Sequence, residues 1–252
     1  MLSRKKFIQQ GAFATGAMMA GSSILKATEP FAITKLTILH TNDVHSRLEP
    51  FPMDGGRNQG LGGVAGRAEL ISKIRSEQEH VLLLDAGDIF QGTPFFNFYK
   101  GEPEIKAMTA MGYDACTIGN HDFDGGMENL ANQLTQHAKF PMLVSNYDFT
   151  KTAMENKTQS YKIFKKGKLK IGVFGVSIEG KGLIPDNLFG ATQYLDPVQK
   201  ANETADKLKK DEDCDMIICL SHLGYQYKEG NKVSDEILAK ETANIDLIIG
   251  GH

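Results

Sequence analysis

The sequence predicts an α/β protein built around a largely parallel sheet, and three observations carry that prediction. From Lys35 onward, short apolar runs alternate with helix-like stretches. Most of the runs lack the period-two alternation of a half-exposed strand, which is how strands covered on both faces read. The 252 residues, 41% hydrophobic and 23% charged, are enough to bury a sizeable core in one large domain, or a domain and a half.

The elements follow in order. Strands are expected at Leu36–His40, Val81–Leu84, Ala115–Ile118, Met142–Ser145, Lys170–Val176, Met216–Leu220 and Ile245–Ile249, each brief and rich in β-branched residues or Leu. Helices are expected near 64–78, 103–111, 125–138, 198–211 and 232–242. Asp196-Pro197 supplies one of them with a cap and a first-turn proline. Tyr161–Lys165 and Lys168–Val176, joined at Lys166-Gly167, read as a hairpin, so the sheet is not purely parallel. Its lysines read as a solvated face. Cys116 and Cys219 lie in apolar runs and read as small buried hydrophobes; three cysteines build no disulfide framework.

Lys+Arg 28 against Asp+Glu 31 leaves a net charge of −3, so no basic field exists to hold a nucleic-acid backbone. Residues 1–30 read as an export signal and linker: a positive start, then residues 7–25 without a charge and too broken for a membrane span. Ser3-Arg4-Lys5-Lys6-Phe7-Ile8 is twin-arginine-like, with Lys5 in place of the second arginine. The expected location is the periplasm or cell envelope of a bacterium, with 31–252 as the working domain.

Where the polar residues fall is more informative. Five expected strands are followed directly by Asp, Asn or His: Thr41-Asn42-Asp43-Val44-His45, Asp85-Ala86-Gly87-Asp88, Gly119-Asn120-His121-Asp122-Phe123-Asp124, Ser221-His222 and Gly250-Gly251-His252. In open α/β sheets, sites form at the carboxyl ends of the strands. Carboxylate and amide oxygens mixed with imidazoles suit Mn, Zn, Fe, Co or Mg rather than a thiolate-bound metal. Six candidate ligands, Asp43, His45, Asp88, Asn120, His222 and His252, exceed what one tetrahedral ion needs, so two divalent metal ions are expected. Asp43 and His45, two apart on an extended backbone, would point the same way. Asn120 and its neighbour His121 would point oppositely, one to an ion and one to a substrate. Asp124 is placed to fix the tautomer of His121, and equally to cap a helix. Glycines before Asp88, Asn120 and His252 allow close backbone approach. His40 reads as packing, His80 and His137 as structural, and Phe90, Phe95, Phe96 and Phe98 as core or loop packing rather than a base-stacking platform.

Taken together, Leu39–His45, Gly87–Gly92, Gly119–Asp124, Ser221–Gly224 and Gly250–His252 resemble the blocks of the calcineurin-like metallophosphoesterases. More narrowly, they resemble the catalytic domain of the bacterial 5′-nucleotidase / 2′,3′-cyclic-nucleotide phosphodiesterase family. The resemblance runs from about residue 35 to the end. It implies a four-layer α/β/β/α sandwich. It implies Asp43 and His45 on a first ion, Asp88 bridging, and Asn120, His222 and His252 on a second. It places His121 beside the phosphoryl group with Asp124 as its partner. The family's last block continues past the position of His252 to a further ligand of the first ion, so a catalytic domain truncated at its C-terminus, with the C-terminal part of the second sheet missing, is expected here. The family's base-stacking C-terminal domain would have to be a separate domain or protein.

The expected function is hydrolysis of a small phosphate ester, a nucleotide, by a 5′-nucleotidase-type phosphomonoesterase using a hydroxide bridging two ions. The alternatives are a cyclic-nucleotide phosphodiesterase, a nucleotide-sugar pyrophosphatase or a sulfur-ester hydrolase on the same site, or an exported metal- or nucleotide-binding module without turnover.

Overall fold

The layering is set by strands with two apolar faces. β2 (Val81–Asp85) is buried along its whole length. Leu82 and Leu84 pack to one side of it and Leu83 to the other, as period-two geometry requires. The computed structural model describes residues 33–228 and 232–252. The chain divides into two units, 1–35 and 36–252, and every element named below lies in the second. The export segment expected at 1–30 lies outside the described residues.

Two main sheets result. The first is parallel, in the order β1 (Thr37–Thr41), β2, β3 (Ala115–Cys116). After a short β4 (Tyr147–Asp148), the second sheet takes β5 (Tyr161–Lys166), β6 (Leu169–Ser177), β8 (Met216–His222) and β9 (Leu247–Gly250), in that order. β5 and β6 form the expected antiparallel hairpin; β6, β8 and β9 are parallel. β7 (Gln193–Tyr194) pairs only with β4.

The sheets face each other through Leu82, Leu84, Ala86, Ala115 and Leu143 from one side and Ile171, Val173, Ile218, Leu220 and Ile249 from the other. Each fully buried Leu or Ile contributes roughly 1.5–3 kcal/mol relative to exposure. On the outer face of the first sheet lie α1 (Val64–Glu77), α2 (Pro94–Tyr99), α3 (Glu102–Met111) and α4 (Met127–His137), contributing Ile71, Phe96, Ile105 and Leu130. α5 (Asp186–Phe189) is one turn. α6 (Pro197–Lys210) and α7 (Asp235–Glu241) cover the second sheet with Ala201, Ala205, Leu208 and Leu238. The expected α/β/β/α order is therefore present.

Asp196 caps α6, accepting from Gln199 N–H at 2.8 Å. Cys116 and Cys219 are buried free thiols. Met142–Ser145 is not a strand. Its backbone bonds go to Cys116, Gln159 and Gly175 in turn, so no single neighbour gives it a ladder. β3 stops at Cys116, short of the expected Ile118. The short α2 and α5 and the β4–β7 pair escape the sequence reading, because elements this short carry no periodicity. Phe90 and Phe96 are core residues, whereas Phe98 and His40 are exposed rather than packed.

Candidate metal centre

The carboxyl ends of both sheets converge. Thr41 pairs with Asp85 across the first sheet and Ser177 with His222 across the second, so the loops that follow start level with one another. The six expected ligands lie in the loops after β1, β2, β3 and β9 and, for His222, at the end of β8.

Asp43 and His45 do not sit on extended backbone. Both are left-handed, with φ of 49° and 48°, as are Ser46 at 56° and Asp88 at 56°. Side-chain alternation therefore does not apply. The two converge because backbone bonds fasten the turn to the neighbouring loop: Asp43 N–H to Gly87 O at 3.0 Å, and His45 N–H to Asp88 O at 3.1 Å. Left-handed backbone at non-glycine residues is strained and persists where its surroundings over-determine it.

Two groups of ligand atoms result. Asp43, His45 and Asp88 each place one within 4.8 Å of the others, and so do Asp88, His222 and His252. Asp88 belongs to both. His45 Nε2 lies 3.8 Å from Asp88 Oδ2 and 3.9 Å from Asp43 Oδ1. His252 donates its backbone N–H to both Asp43 carboxylate oxygens at 3.1 Å.

The chemistry of His222 shows that a cation fits. Its Nδ1 lies 2.7 Å from Ala86 O, an acceptor, so Nδ1 carries the proton. Nε2 is left with a lone pair; it is buried without a hydrogen bond and lies 3.1 Å from Asp88 Oδ2. Two electron-rich atoms at that separation require a proton or a cation between them. With a proton there, the Asp88 carboxylate overcomes the cost of burial and holds the His222 pKa at about 9. Burial likewise opposes charge on Asp88, but the imidazoles of His222 and His121 hold its carboxyl below the ordinary range. The amide oxygen of Asn120 is also buried with no partner. These atoms form a donor set of oxygens and imidazole nitrogens suited to divalent ions. Burial and the neighbouring His222 keep His252 below the usual histidine range, in the neutral form a ligand needs.

His121 stands beside this set, half-exposed, its ring centroid 5.2 Å from that of His45. Its Nδ1 is 2.8 Å from Asp124 Oδ2. Burial disfavours its charged form, but Asp124 and then Asp88 outweigh that and raise its pKa. Asp124 does not cap α4: the N-cap is Gly126, without a side-chain bond. Asn120 and His121 lie on a 3₁₀ turn rather than an extended chain; Asn120 is buried and His121 half-exposed.

The glycines at the loop starts are needed for space. A Cβ on Gly87 would lie 2.8 Å from His222 Nδ1, and one on Gly119 would lie 2.1 Å from Asp88 Oδ1.

Two residues that hold the site were missed in the sequence. Asp122 is fully buried and accepts four backbone N–H bonds: Asp88 at 3.2 Å, Ile89 at 2.9 Å, Phe90 at 3.1 Å and Gly119 at 2.8 Å. It joins the Asp88 loop to the Asn120 loop. Asp85 accepts from Thr41 Oγ1 at 2.5 Å and Gly87 N–H at 2.9 Å, and burial pushes it up to about 7. Both lie inside blocks already singled out, but a spacing pattern does not separate a carboxylate that binds backbone from one that faces a ligand.

Known proteins resemble this chain in sequence and in fold. A snake venom 5′-nucleotidase from Gloydius brevicauda is 38% identical over 224 residues, covering 86% of this chain and 37% of the relative. The crystal structure of a 5′-nucleotidase precursor from Thermus thermophilus superposes with a TM-score of 0.75 at 31% identity, covering 86% of this chain and 41% of that one. The calcineurin-like phosphoesterase YfkN of Bacillus subtilis superposes with a TM-score of 0.72 at 32% identity, covering 86% and 71%. The chain spans about two fifths of the length of the curated relatives it matches. Residues 36–252 match the calcineurin-like phosphoesterase family throughout, and the chain belongs to that family.

Proposed function

We propose that residues 31–252 form the catalytic domain of a metal-dependent phosphoric-ester hydrolase acting on 5′-nucleotides. The observation that carries this reading is the shared Asp88, which serves two ligand clusters and opposes the bare Nε2 of His222. Relatives named 5′-nucleotidase support the substrate class.

In this reading Asp43, His45 and Asp88 would hold one divalent ion, and Asp88, Asn120, His222 and His252 a second. Bound there, the ions would supply Lewis-acid stabilisation of phosphoryl charge and activation of water. His121 does the protein's own share of the chemistry. Asp124 fixes its Nδ1, which leaves Nε2 free to donate to a phosphoryl or leaving oxygen. The raised pKa of His121 favours the charged, donating form.

Export to a bacterial envelope belongs to the same reading, through the sequence of residues 1–30. No helix among the described residues is long and apolar enough to cross a membrane. A base-selecting domain would be supplied outside residues 31–252.

The test is phosphate release from AMP by the full chain loaded with Mn²⁺, set against 2′,3′-cyclic AMP and a nucleotide sugar. Turnover on AMP is expected. Preference for either competitor moves the substrate class. Two bound ions with no turnover on any substrate would make the chain a binding module and overturn the hydrolase reading.

A further inference from the structure

The turn that presents Asp43 and His45 ends at Ser46, which is fully buried and left-handed. Its backbone N–H reaches Ile89 O at 2.8 Å, and its carbonyl accepts from Thr93 Oγ1 at 2.9 Å. Its hydroxyl is 2.9 Å from Thr93 Oγ1 and hydrogen-bonds Oε1 of Glu104. Glu104 lies in the first turn of α3, a layer away from the ligands, and is only 3% exposed.

A glutamate at that depth is costly. Its second oxygen, Oε2, is buried with no partner, and burial raises its pKa. A cavity of about 20 Å³, lined mostly by apolar side chains with Ser46, Asp85, Arg67 and Glu104 among them, adjoins it, room for about one water. An apolar side chain would fill that volume without the penalty. What the carboxyl adds is one directed bond, to the hydroxyl next to His45.

We propose that Glu104 is a positioning residue for the Asp43–His45 half of the metal centre, acting through Ser46. The turn has three left-handed non-glycine residues, Asp43, His45 and Ser46, and therefore needs an external hold. Its backbone bonds run to the neighbouring Asp88 loop, which is itself part of the site. Glu104 ties the Ser46 hydroxyl to α3, beside the bonds from Thr93 at the start of α2. Of the other half of the centre, His252 reaches this turn through its N–H to Asp43; among the described residues, the Glu104–Ser46–Thr93 bonds include none to Asn120, His222 or His252. The inference rests on the metal-centre reading above.

The experiment is calorimetric titration of the metal-free full chain with Mn²⁺, for wild type, E104A, E104Q and S46A, each also in an H45A background. Thermal unfolding in chelator accompanies it. E104A and S46A are expected to weaken one binding step by roughly ten- to a hundredfold, the usual cost of removing a ligand's supporting partner. E104Q keeps an oxygen for Ser46 and should restore near-wild-type affinity. In the H45A background, where the half-site is already broken, E104A should cost no more than about a further twofold.

Wild-type affinity in E104A overturns the inference. So does an equal loss with and without His45, because it would mean general loosening. If E104A does not fold, S46A decides, and wild-type affinity there overturns the inference. A wild-type chain that binds no Mn²⁺ overturns the metal-centre reading and this inference together; a wild-type chain that binds, with E104A unchanged, overturns this inference alone.

Discussion

Replacing Asp122 by Asn should destabilise the metal-free protein by several kcal/mol although it removes no metal-facing atom. Oδ1 of Asp122 receives the N–H groups of Ile89 and Phe90, and Oδ2 those of Asp88 and Gly119. D122N keeps one oxygen and turns the other into an NH₂ group facing two N–H donors. Two buried donors lose their acceptor, at about 1–3 kcal/mol each, giving roughly 2–6 kcal/mol. At about 2–4 °C per kcal/mol for a domain of this size, the midpoint should fall by roughly 5–20 °C.

The assay is thermal unfolding at pH 8 with chelator present. Chelator keeps metal linkage out of the measurement. The pH matters because burial and the Asp88 charge push Asp122 up to about 7, so pH 8 populates its carboxylate; that same shift means the charged form is disfavoured in the fold, which offsets part of the loss and puts the expected fall toward the lower end of the range. D122A should cost about as much as D122N, because the space it vacates admits a water to some of the four donors. A midpoint within about 2 °C of wild type would refute the reasoning, since on this scale it corresponds to less than about 1 kcal/mol and the four N–H groups would then not depend on this carboxylate.

Three further outcomes follow from the same geometry. H121A should lose roughly 10²–10⁴-fold in turnover, the usual contribution of a positioned acid, with unchanged metal content by mass spectrometry; retained turnover would remove His121 from the chemistry. D88A should lose metal and turnover together, because Asp88 is common to both ligand clusters, and a D88A chain that keeps both ions would dissolve the shared-ligand reading. Asp235 is raised to about 6 by burial, against the bond from Ser221 and the charge of His222, from an ordinary value of 3.8. The folded state therefore binds the extra proton, and this contribution is complete below about pH 4 and gone above about pH 6. D235N stays neutral, so in chelator its midpoint relative to wild type should climb between pH 4 and pH 6, and a flat difference would contradict the shift.

The strand ends were legible because a both-sides-buried strand must be apolar until it leaves the sheet, and the first polar residue marks the exit. β2 shows this plainly: Val81–Leu84 is apolar, and Asp85 opens the ligand loop. The layer order was legible only through the family resemblance, since no local pattern says that β1–β3 form one sheet and β5, β6, β8 and β9 another. The backbone of the ligand turn was not legible. Asp43 and His45 converge, but through left-handed residues held by Gly87 and Asp88, and those bonds exist only once β1 and β2 are side by side. The supporting carboxylates were hidden for the same reason. Asp122, Asp85 and Glu104 differ from the ligand-type residues only in facing backbone N–H or hydroxyl groups, which tertiary structure brings to them.

The ligand set also explains why the site needs two sheets. Asp43, Asp88 and Asn120 follow strands of the first sheet, whereas His222 ends β8 and His252 follows β9 in the second. Each sheet alone would offer part of the proposed coordination sphere. The inter-sheet core of Leu82, Leu84, Ile218 and Leu220 fixes their spacing, but apolar contact is non-directional and does not set register to a fraction of an ångström. Register at the working edge comes from bonds that cross the gap: His222 Nδ1 to Ala86 O, and the His252 N–H to the Asp43 carboxylate. The first also fixes which imidazole nitrogen keeps its lone pair. One hydrogen bond thus aligns the sheets and prepares the ligand, and Asp88 Oδ2, 3.1 Å away, marks where the charge of the cation would be needed.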